Sequence, residues 1–116
     1  MEQDDCVFCR IAAGSTDAAI LHRDAGAVAF RDIAPKAPVH VLVIPTRHIP
    51  SVDATGPADE ATLGHLIAVA RDIARSEELA DDGYRLVMNN GAAAGQSVDH
   101  LHLHLLGGRE LGWPPG

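Results

Sequence analysis

His100-Leu101-His102-Leu103-His104 sets three imidazoles at every second position, separated by leucines. Side chains at i, i+2 and i+4 share one face of an extended strand, so this run predicts a histidine face opposite a leucine face. A merely solvated face would favour Lys, Glu or Thr. Geometry restricts what three histidines do together. The first and third Cα atoms of such a strand stand roughly 13 Å apart, whereas zinc needs its nitrogens at about 2.0–2.1 Å. Neighbouring imidazoles can share an ion, but three on a straight strand do not. The spacing therefore predicts a division of labour, with one outer histidine set to a different task.

The chemistry upstream is that of an anion site. Gly95-Gln96-Ser97 follows a small-residue loop, Gly91 to Gly95, whose backbone N–H groups are candidates to turn toward a phosphate. The Ser97 hydroxyl is a candidate donor to a phosphate oxygen or a leaving group, and Asn89 adds an amide. A histidine nucleophile needs one ring nitrogen unprotonated and the other hydrogen-bonded, which fixes tautomer and aim. His102 is the candidate, with His40 on a neighbouring strand as support. The two cysteines, Cys6 and Cys9, form a Cys-x-x-Cys pair, which reads as half a metal site or a redox motif. No βαβ context favours the redox reading.

The elements that must position these groups are few. Residues 7–13 predict one or two helical turns stopped by Gly14. Ile20 to Arg23 and Ala27 to Arg31 read as strands joined by a hairpin at Asp24-Ala25-Gly26. Asp32 to Pro38 is a loop, and Val39 to Ile44 is a β-branched strand. Pro57 to Leu79 predicts the long helix, with Leu63, Leu66, Ile67, Ala70, Ile73 and Ala74 on its apolar face. Tyr84 to Met88 and Val98 to Leu106 complete five strands. The expectation is an α+β fold: a five-stranded antiparallel sheet with one long and one short helix. It forms a single domain over 1–116, with a Cys-x-x-Cys segment at 1–14 and an irregular tail at 107–116. His22 and His65 read as ordinary surface or boundary residues. Arg47 is a solvated or substrate-touching cation, and Trp113 either packs the tail or reaches a partner's site.

A net charge of −7 over 116 residues argues against broad nucleic-acid binding, which relies on many Lys and Arg contacts to phosphates. The acidic start, Met1-Glu2-Gln3-Asp4-Asp5, is unlike a secretory signal, and there is no long apolar run. The expectation is a cytoplasmic protein with neither a nucleic-acid nor a membrane partner.

His100 to Leu106 matches the histidine triad signature at every position. Phe30-Arg31-Asp32-Ile33-Ala34-Pro35, Val39 to Pro45, Asn89, Gly95-Gln96-Ser97 and Trp113-Pro114-Pro115-Gly116 resemble the adenosine phosphoramidase branch of that family. The resemblance implies a homodimer with one continuous sheet, and a ligand that is a purine nucleoside monophosphate or its phosphoramidate. By motif position, His102 attacks phosphorus and becomes nucleotidylated. His104, Ser97 and the backbone of Gly95 and Gln96 hold the phosphate, and Ser97 assists the leaving amine. Asn89 lies at the phosphate, Asp32 at the ribose, and Phe8, Ile11 and Ile33 at the base, while His40 supports the surroundings of His102. The chemical step needs no metal. Some members of the family bind structural zinc through positions that correspond here to Cys6, Cys9, His48 and His100. A nucleotide-binding module with incidental turnover, a dinucleotide polyphosphate hydrolase and a hydrolase with water on zinc are the alternatives. Asp99 departs from the pattern beside the histidines, but neighbours on a strand point to opposite faces.

Overall fold

The computed structural model describes residues 5–116; Met1 to Asp4, which make up most of the acidic start, lie outside the described residues. The elements run α1 (Val7–Ala13), β1 (Ile20–Arg23), β2 (Ala27–Arg31), β3 (Val39–Pro45), α2 (Glu60–Ser76), β4 (Tyr84–Val87) and β5 (Leu103–Gly107). Short 3-10 turns occupy Val52–Ala54, Pro57–Asp59 and Ala92–Ala94. The five strands form one antiparallel sheet in the order β1-β2-β3-β5-β4. This is the α+β sheet that the sequence predicts.

Alternation along β2 and β3 decides what lies on each face. Ala27, Ala29, Val41 and Val43 join Leu101, Leu103 and Leu105 against Leu66, Val69, Ala70, Ile73 and Ala74 of α2. Val28, Phe30, Leu42 and Ile44 point the other way, onto Phe8, Ile11, Cys6 and Cys9 at α1. Burial on both faces explains why β2 and β3 read as nearly continuous apolar runs. On β3 and β5, His40 and His104 alternate with residues of the α2 face, so they belong to the α1 side.

Three boundaries differ from expectation by three residues or more. The last strand begins at Leu103, not Val98. The β3–β5 ladder ends at Val43 opposite Leu103, close to Pro45, which has no N–H to extend it. The long helix begins at Glu60 behind a 3-10 turn and ends at Ser76. Glu78 takes a left-handed φ of 61°, which turns the chain and folds Leu79 back into the core. Ile67, expected on the buried face, is 50% exposed.

The β1–β2 hairpin is closed by Asp24. Its Oδ1 accepts from Gly26 N at 2.7 Å and Ala27 N at 2.8 Å, an Asx arrangement. Its Oδ2 accepts from His22 Nε2, and that bond is the main reason the carboxyl lies far below its ordinary value.

Candidate active site

The first triad histidine leaves the other two. His100 is fully buried, and its Nε2 donates to Pro45 O at 3.0 Å, which leaves Nδ1 with the lone pair. That Nδ1 lies 3.4 Å from Cys6 Sγ and 3.5 Å from Cys9 Sγ, and Cys9 Sγ lies 3.2 Å from His48 Nδ1. All four ligand atoms fall within 4.8 Å of one another. Bond lengths of about 2.3 Å to sulfur and 2.0–2.1 Å to nitrogen set S···N separations of about 3.5 Å in a tetrahedron, so this donor set fits zinc. The Cys6 thiol also caps α1, accepting from Cys9 N at 3.3 Å. Burial pushes the His100 imidazole down to about 4, which keeps it neutral.

His102 has the opposite tautomer. Its Nδ1 donates to His100 O at 2.8 Å, so Nε2 carries the lone pair. Phe8 stands edge-on at 5.2 Å and fixes the ring. His104 is set from further away. The backbone N–H of Lys36 donates to His40 Nδ1 at 3.0 Å, which places the His40 proton on Nε2. That N–H donates to His104 Nδ1 at 2.9 Å, with Asp32 Oδ2 at 3.5 Å. His104 therefore keeps its own proton on Nε2. Among the described residues, this Nε2 is the buried side-chain polar atom with no hydrogen-bond partner. Burial, followed by the neighbouring His102 and His40, pushes His104 down to about 4; burial also lowers His40. Asp32, His40 and His104 also bring three ligand atoms together, but Lys36 N–H on Nδ1 fixes the His40 proton toward His104 and the buried His40 ring has no room to retreat, so they form a hydrogen-bonded chain.

His102 and His104, with ring centroids 5.0 Å apart, line one cleft of about 420 Å³. Phe8, Ile11, Asp32, Ile33 and Ser97 share it. Ile33 lies fully exposed at its rim, while Phe8 and Ile11 are buried. The cleft offers an unprotonated nitrogen beside an N–H donor, with apolar walls and a carboxylate.

Four of the expected contributors are placed as follows. Gly95 N and Gln96 N donate within their own loop, to Ala92 O and Gly91 O. The Gln96 side chain braces the chain, donating to Pro50 O and Val98 O and accepting from Gly91 N. Asn89 packs beside Gly95 and is not among the residues lining the cleft. His40 contacts His104, and so supports His102 only through it. Ser97 remains as the loop's contribution to the cleft. Sequence reasoning missed Phe30, Leu42 and Val98 in the cleft wall; the parity of β2 and β3 was a signal for the first two. It also missed Lys36, whose part is played by a backbone N–H and leaves no side-chain signal. Arg47 pairs with Asp59, and Trp113 is 82% exposed with the Arg85 guanidinium 6.0 Å from its ring.

This fold agrees with the comparisons. Residues 13–111 match the HIT domain, and the chain belongs to that family. It is 45% identical over 109 residues to the purine nucleoside phosphoramidase of Escherichia coli, covering 94% of this chain and 92% of that one. A HIT family hydrolase from Legionella pneumophila superposes with a TM-score of 0.95 at 45% identity, covering 97% of this chain and 100% of that one. A zinc-bound histidine triad family protein from Mycobacterium smegmatis has a TM-score of 0.80 at 36% identity, covering 91% and 76%. The Cys-x-x-Cys pair lies just before the matched residues.

Proposed function

We propose that the protein is a hydrolase of purine nucleoside phosphoramidates that works through a nucleotidyl-histidine on His102. The observation that carries this reading is the pair of opposite tautomers in one cleft. His102 Nε2 holds a lone pair, and His104 Nε2 holds an unpartnered proton. One attacks phosphorus, and the other donates to the phosphoryl oxygen on which charge develops. The 45% identity to the Escherichia coli phosphoramidase supports the same choice of substrate.

In the first step the His102 Nε2–P bond forms and the P–N bond to the amine breaks. The amine leaves with a proton relayed from solvent through the Ser97 hydroxyl. In the second step water attacks phosphorus and gives up a proton to solvent through the Ser97 hydroxyl, the Nε2–P bond breaks, and the nucleoside monophosphate departs with His102 restored. Phe8 and Ile11 give the base an apolar wall, Ile33 its outer rim, and Asp32 accepts from the ribose hydroxyls. His40 is a positioning residue that holds the His104 tautomer. The chemical step needs no metal. Cys6, Cys9, His48 and His100 would hold zinc, which would tie the N-terminal segment to the residues preceding β5, a structural part. The exposed Ile67 and the edge strand β4 suit a homodimer that continues the sheet, which light scattering at micromolar concentration tests. No helix among the described residues is long and apolar enough to cross a membrane.

The test is intact-protein mass spectrometry after brief mixing with an adenosine phosphoramidate. Wild type gains one adenylyl mass, and His102→Ala gains none while still binding AMP. If neither protein gains mass and no AMP appears, the enzyme reading falls and a binding module remains.

A further inference from the structure

His22, Asp24 and His65 come from β1, the β1–β2 turn and α2, yet their polar tips meet at one point. His22 Nε2 lies 2.5 Å and His65 Nε2 2.8 Å from the same Asp24 Oδ2. The three ligand atoms fall within 4.8 Å of one another. Nothing in the proposed reaction uses them, and the cleft lining does not include them.

We propose that these three residues form a second binding site for a divalent transition-metal ion, separate from the cysteine cluster. Two imidazoles and one carboxylate are a donor set for Zn²⁺, Ni²⁺ or Co²⁺, and three protein ligands leave positions for water. The carboxylate is oriented in advance. Its Oδ1 is held by two backbone N–H groups of the turn, so Oδ2 is the oxygen presented outward.

The room required is small. Ligand bonds of about 2.0–2.1 Å set ligand separations of about 3.3 Å, so each imidazole retreats by less than about an ångström. The side chains of His22 and His65 are 37% and 44% exposed, which leaves them free to make that adjustment. The ion replaces the shared N–H hydrogens and keeps the same three side chains together. It ties α2 to the β1–β2 hairpin, on the opposite side of the sheet from α1. The site binds reversibly and more weakly than a buried four-ligand cluster, because one to three of its ligand positions, depending on the metal, belong to water.

Calorimetric titration with Zn²⁺ tests this on the full chain. Wild type shows a weaker class of one ion beyond whatever the cysteine cluster takes. His65→Gln and His22→Gln, each a surface change on a different element, weaken that class at least tenfold and leave any tighter class intact. The thermal midpoint of wild type rises as the weaker class fills, and that of His65→Gln does not. Isotherms of both variants superimposable on wild type, or no weaker class in wild type, overturn the proposal.

Discussion

Two histidines four residues apart meet opposite surroundings. His100 lies among thiols, fully buried, with its lone pair on Nδ1 and its proton held by Pro45 O. His104 opens on the cleft, and its proton on Nε2 has no partner. Between them, His102 has the reverse tautomer to His104, set by the carbonyl of His100. One short alternating sequence thus supplies a metal ligand, a nucleophile and a donor. The side chains are identical, so the difference comes from the groups that hold their second nitrogens. Histidine is suited to this because its two nitrogens exchange roles at neutral charge.

Breaking the middle member has the largest effect. His102→Ala lowers turnover of an adenosine phosphoramidate by at least about 10³-fold while AMP affinity stays within a few-fold; steady-state kinetics and calorimetry read the two. Removing the donor costs less. His104→Ala lowers kcat by about 10²–10³-fold, the range for a lost oxyanion donor, and the adenylyl intermediate still forms, slowly.

At the other end of the run, the loss is of stability rather than chemistry. Cys9→Ser lowers the thermal midpoint by the equivalent of a few kcal/mol, and turnover per folded molecule at 25 °C holds. In buffer without added metal, where the weaker His22/Asp24/His65 site is empty, a chelator lowers the midpoint of wild type and leaves that of Cys9→Ser unchanged. A midpoint indifferent to chelation in wild type removes zinc from the account.

The smallest effects sharpen the His104 side. His104 is held at about 4 against an ordinary 6.5, so between these values the unfolded chain binds a proton that the native protein does not. Its contribution to stability is complete above pH 6.5, is lost as the pH falls toward 4, and changes no further below that. Urea midpoints across this range fall with the pH, and His104→Gln flattens the slope. His40→Ala releases the tautomer of His104 and lowers kcat by about tenfold, with little change in KM.

The alternation of the triad, the five strands and the Cys-x-x-Cys pair were legible in residue types, because periodicity of two and burial on both faces leave strong patterns. The start of β5 was not, since it depends on Pro45 of another strand. The end of α2 was hidden because a glutamate, not a glycine, takes the left-handed turn at Glu78. The Gly95-Gln96-Ser97 motif suggested backbone donors, but the loop uses two of those N–H groups to hold its own shape. The tautomers were out of reach altogether. They follow from Pro45 O, His100 O and Lys36 N, main-chain groups that any residue supplies. His22 and His65 were read as unremarkable because nothing in their spacing shows that α2 brings them to one carboxylate.

The most direct test of the opposite tautomers is long-range ¹H–¹⁵N correlation of the imidazole rings at neutral pH in the ligand-free protein. The expected spectrum shows a protonated Nδ1 on His102 and a protonated Nε2 on His104, with His40 also protonated at Nε2. His102 protonated at Nε2, or both rings in the same form, would contradict the division between nucleophile and donor.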